Sequence, residues 1–122
     1  MSQKRFMPRG YNAALPSSPF ANAEEAWFWF VRCQEARRQG ARCASAAGAF
    51  QRPCDPDDIY RAVLALLRGG RIRQAHLHVL GRFGLLGRPP DRRCGDERPL
   101  APLWEEALDR LATILGDKGL LA

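Results

Sequence analysis

The side chains best suited to chemistry fall between positions 68 and 93. Arg71, Gln74, His78 and Arg82 are spaced i, i+3, i+7 and i+11, with Arg73 beside them. That spacing places them along one face of a helix. An arginine fork matches the guanine edge and a glutamine amide matches adenine, so such a face could read the major groove of double-stranded DNA. Arg68, Arg88, Arg92 and Arg93 flank the segment and are of the type that holds phosphates. The same pattern also describes a solvated face on an arginine-rich protein, or a site for an acidic protein partner.

Other chemistry has little support. His76 falls on the apolar side of the same segment and reads as a satisfied core histidine. Neither histidine neighbours a serine or cysteine in a nucleophile motif. The pairs Asp57/Asp58 and Glu105/Glu106 sit at helix starts, where the helix dipole explains them. Arg68-Gly69-Gly70-Arg71 is too short for a phosphate-binding loop and lacks its Gly-Lys-Ser/Thr end. No enzyme and no cofactor is therefore expected. Cys33, Cys43, Cys54 and Cys94 are separated by nine, ten and thirty-nine residues, unlike the close pairs of a zinc site. A Cys43, Cys54, Cys94 and His76 site would need the fold to gather them, so no metal is expected and the thiols are expected to be reduced.

A second candidate is the run Trp27-Phe28-Trp29-Phe30-Val31. Consecutive helical residues are about 100° apart, so five of them sweep more than a full turn. Ala23, Trp27, Phe30 and Val31 form the inward set. Phe28 and Trp29 then need another surface, which is either the N-terminal arm, the last helix, a protein partner or a second copy in a homodimer.

The elements that must position these residues follow from the wider pattern. At 122 residues, with 46% hydrophobic and 26% charged, the chain is one domain's worth of ordinary globular sequence. The net charge of +6 favours polyanionic partners. It is uneven: residues 1–31 carry net +1, residues 32–98 net +7, and residues 99–122 net −2. No apolar stretch is long enough to span a membrane, and the N-terminus lacks a secretory pattern. A cytoplasmic bacterial-type protein is the expectation.

Residues 1–21 hold Pro8, Pro16, Pro19 and Gly10 without apolar periodicity and read as a flexible or extended arm. A single all-α domain should occupy 22–122. Asn22 and Glu25 have capping-box spacing, predicting a first helix from Asn22 to about Arg38 ended by Gly40. A loop follows over 40–53. Asp55, Pro56, Asp57 and Asp58 predict the start of a second helix, with Ile59, Ala62, Val63, Leu66 and Leu67 inward and Gly69-Gly70 as its stop. A third is predicted from about Arg71 to Arg82 or Phe83, with Ile72, Ala75, His76, Val79 and Phe83 inward, broken by Gly84, Gly87 and Pro89-Pro90. The last spans about Ala101 to Leu115, ended by Gly116, with Leu120-Leu121 folding back. The second and third helices, joined by a tight glycine turn, give the small four-helix domain a helix-turn-helix-like corner.

The phrase His78-Val79-Leu80-Gly81-Arg82-Phe83-Gly84-Leu85-Leu86-Gly87-Arg88-Pro89-Pro90 resembles the start of sigma-factor region 4. Trp104-Glu105-Glu106-Ala107-Leu108-Asp109-Arg110-Leu111 is similar to that region's closing helix. Between Gly87 and Trp104 only sixteen residues remain, two of them Pro89-Pro90, so no helix-turn-helix pair fits there and that family's DNA-reading helix has no counterpart. The whole chain also resembles small arginine-rich proteins of alphaproteobacterial genomes. The reading reached is a DNA-binding regulator of transcription or replication. Arg71, Arg73, Gln74, His78 and Arg82 would face the groove, and Arg68, Arg88, Arg92 and Arg93 the backbone. The rival is a non-enzymatic adaptor anchored by Phe28 and Trp29, for example for RNA polymerase.

Overall fold

Local signals decide where each helix starts. The Asn22 side chain accepts a hydrogen bond from the Glu25 N–H at 2.9 Å, and α1 (Ala23–Arg38) begins directly after it. Pro56, with its fixed φ and no N–H to satisfy, opens α2 (Pro56–Arg68), while the Asp58 carboxylate accepts from the Asp55 N–H at 2.9 Å. α3 covers Gln74–Leu86, and α4 covers Ala101–Asp117 after a 3-10 turn at Arg98–Leu100. The computed structural model describes residues 16–40 and 51–122. Among these there is no β-strand beyond two isolated bridges, so the domain is all-α.

The core forms where the apolar stripes meet. Trp27 and Phe30 of α1, Ile59, Val63 and Leu66 of α2, Leu80 and Phe83 of α3, and Trp104, Leu111 and Leu115 of α4 are all buried. The principal helix contacts are α3 on α4, α1 on α2, α2 on α4, α1 on α4 and α1 on α3. The consecutive helices α2 and α3 are not among them, so these contacts lend the expected helix-turn-helix-like corner no support.

Helix ends differ from expectation in an instructive way. α2 stops as predicted: Gly70 takes φ 71°, and the Arg71 N–H turns back to the Leu66 carbonyl at 2.9 Å. This left-handed closure drops Ile72 into the core, so α3 starts at Gln74 and not at Arg71. Arg71 and Arg73 therefore precede the helix, and Ala75 faces solvent. Gly84 does not break α3. A Cβ there would lie 2.8 Å from both Trp27 Nε1 and Val31 Cγ2, so glycine is what lets α1 and α3 approach. Gly87, at φ 73°, ends the helix instead. Similarly Gly116 lies inside α4, and Gly119 at φ 74° makes the turn that buries Leu120.

The expected arm is anchored at its end. Phe20 is fully buried, its N–H donates to the Leu120 carbonyl at 3.0 Å, and its carbonyl accepts from the Ala122 N–H at 2.7 Å. Ser18 N–H donates to the Gln51 carbonyl at 2.9 Å. Residues 1–15, and positions 41–50 of the expected 40–53 loop, lie outside the described residues.

Candidate functional site

The corner between α2 and α3 positions the basic residues. Arg68 ends α2, Arg71 and Arg73 bracket buried Ile72, and Gln74, His78 and Arg82 follow along the outer face of α3. All six are exposed. The α3 start is held by an unexpected cap: His76 Nδ1 accepts the Arg73 N–H at 3.0 Å. The ring proton then sits on Nε2, which faces Glu106 Oε2 of α4 at 3.3 Å. His76 is thus a buried, satisfied histidine that fixes how Arg73 and Gln74 emerge.

Ion pairing divides the nine sequence-predicted DNA contacts. Arg68, Arg71, Arg73 and Arg82 have no acidic partner within salt-bridge distance among the described residues. Arg82 lies over the Phe83 ring, 5.1 Å from its centroid. Arg88 instead makes a two-pronged pair with Glu97 at 2.7 and 2.8 Å. Arg92 pairs with Glu105, and Arg93 with Asp91 at 3.4 Å. Arg68, Arg71 and Arg73 thus stand at the α2–α3 corner and Gln74, His78 and Arg82 along the outer face of α3, with no carboxylate in ion-pair distance among the described residues, although Arg82 lies in the field of Glu97; Arg88, Arg92 and Arg93 each have a carboxylate partner.

Glu97, which sequence reasoning passed over, organises the segment after α3. It is buried, holds Arg88, and accepts the Asp91 N–H at 2.8 Å. These donors pull its carboxyl down to about 2, the Arg88 side chain contributing most. No periodicity marks such a residue in a polar loop. Beside this segment lies a groove of about 910 Å³ between the start of α1, residues 88–93 and α4. Its rim carries Glu24, Asp91, Glu105 and Asp109 against Arg88, Arg92 and Arg93, an unfavourable balance for phosphate.

Phe28 and Trp29 have internal partners. Both are half-buried; Phe28 packs against Trp104 with ring centroids 5.6 Å apart, and Trp29 against Phe20 at 5.2 Å. Each ring thus has one side occupied within the chain, because α4 and the residues before α1 supply the second surface that the aromatic run requires.

The thiols also depart from expectation. Cys33 is buried and disulfide-bonded, where four reduced cysteines were expected; the sequence spacing carried no signal of this. Cys54 and Cys94 are free. Burial, with Asp58 and Asp55 nearby, pushes the Cys54 thiol up to about 12, so it is inert at neutral pH. Cys43 lies outside the described residues. Among those described, no group of three His, Cys, Asp or Glu side chains is arranged to hold a metal, and no helix is long and apolar enough to cross a membrane.

No protein-family model, curated protein or solved structure matches the chain. The phrases that resemble sigma-factor region 4 fall on α3 with the segment after it and on α4, which pack against each other.

Proposed function

We propose that this protein binds double-stranded DNA through the edge formed by the α2–α3 corner and the outer face of α3, in the control of transcription or replication. The observation that carries the reading is the clustering of arginines without acidic partners: Arg68, Arg71, Arg73 and Arg82. A carboxylate beside an arginine offsets part of the attraction that the guanidinium offers a phosphate, and an arginine without such a neighbour keeps all of it. Gln74 and His78 stand between them and supply hydrogen-bonding groups for base edges. Since α2 and α3 are not among the principal helix contacts, phosphate contact is the larger part of the proposed binding and base reading the smaller.

Counterion release provides the test. Four phosphate contacts give a log–log dependence of affinity on salt with a slope of about −3.6. Duplex titrations by fluorescence anisotropy at several salt concentrations should find that slope, and Arg71→Ala or Arg73→Ala should each reduce its size by about 0.9. Absence of binding at low salt would refute the reading.

A further inference from the structure

Leu85 and Leu86, at the end of α3, are 64% and 54% exposed. Leu85 borders a groove of about 460 Å³ between the C-terminal half of α1 and the end of α3. Phe28, Val31, Arg32 and Ala36 form its α1 side; on the α3 side Gly84 closes its floor against α1, and Gly87, with open space where a side chain would stand, leaves its rim open. The stretch of this wall from Arg32 to Gln39 covers eight residues, a rise of about 10.5 Å or two helical turns. This is the size of surface on which an amphipathic helix lays its apolar face.

Charge selects the occupant. Arg32 is exposed and has no acidic partner among the described residues. The one carboxylate on this wall, Glu35, is taken by Arg38 at 3.1 Å. The free charge beside the apolar floor is therefore positive.

We propose that the groove binds a two-turn acidic amphipathic helix of a partner protein, with apolar anchors seated between Phe28 and Leu85 and a carboxylate on Arg32. This surface does not depend on the DNA reading, since Arg32 lies outside the α2–α3 edge. It also gives the half-buried Phe28 a role through the part of its ring that faces the groove.

The probe is a fluorescein-labelled peptide of about 15 residues, with leucines at i, i+4 and i+7 and glutamates on the flanks. Its control carries lysine at each glutamate. The acidic peptide should bind saturably to the full chain, and Leu85→Ser and Arg32→Glu should each weaken binding about tenfold. The lysine peptide should bind far more weakly. Both substituted positions are exposed, and thermal melts of the two variants confirm that each is folded. Absence of binding, or binding untouched by either variant, would overturn the proposal. So would equal binding of both peptides. Sedimentation of the chain alone supplies a further outcome: a dimer dispersed by Leu85→Ser would assign the face to a second copy and overturn the partner reading.

Discussion

Two buried polar residues set the conformations on which the basic edge and its neighbouring segment depend. His76 works as the reach-back member of a capping box, a role usually filled by glutamate or glutamine. His76→Ala leaves the Arg73 N–H without its acceptor and should cost about 1–3 kcal/mol in chemical denaturation. His76→Gln, which can still accept that N–H, should cost less. Glu97 makes a pH-dependent contribution. Its carboxyl titrates near 2 in the folded chain and near its ordinary 4.5 when unfolded. A depressed folded value means stability that is fully present above about 4.5 and lost as pH falls towards 2. Asp58 acts in the opposite sense, since burial raises its carboxyl, so the Glu97 effect is isolated by a variant. Glu97→Gln should be less stable than the parent at pH 6, and the gap should narrow at pH 3 if unfolding is followed at both values. Of these two roles, burial of His76 was legible from its place on the apolar face. Its capping bond was not, because the sequence placed the helix start at Arg71 and so put His76 in the wrong turn.

At the scale of elements, the starts of α1, α2 and α4 and the ends of α1 and α2 were readable, whereas the start of α3 and the ends of α3 and α4 were not. Asn22 and Asp55-Pro56 each combine a side-chain or proline signal with the first apolar residue of a stripe, and two independent signals coincide. A glycine near a helix end has two opposite uses. Gly87 and Gly119 adopt positive φ and turn the chain, whereas Gly84 stays helical because another helix lies against it. Only the tertiary neighbour distinguishes these uses, and a single sequence does not display it. Gly84 therefore yields a specific expectation. Alanine at a helix interior position usually gains about 1 kcal/mol over glycine. Here its Cβ would meet Trp27 and Val31 at 2.8 Å, and overpacking of this kind costs about 1–3 kcal/mol. The Trp27 indole N–H also bonds the Leu80 carbonyl at 2.8 Å, so the indole has little freedom to withdraw. Gly84→Ala should lower the melting temperature, in contrast to Gly81→Ala, where a Cβ meets open space.

For the molecule as a whole, the all-α class and the helix count in the described residues followed from apolar periodicity, and the concentration of charge in residues 32–98 was plain from composition. Which arginines are free was not. Arg88, Arg92 and Arg93 read as phosphate ligands because their partners Glu97, Glu105 and Asp91 are brought to them by the turn after α3 and by α4. The free edge of Arg68, Arg71, Arg73 and Arg82 emerges only after those pairs are removed. The most direct measurement is therefore a comparison at constant net charge. Arg71→Glu/Arg73→Glu and Arg92→Glu/Arg93→Glu alter the total charge equally and leave the core untouched. Duplex DNA affinity, measured for both at one salt concentration, should fall by at least about tenfold more in the first than in the second. Equal losses would mean that overall charge alone draws the protein to DNA and that the α2–α3 edge is not the site.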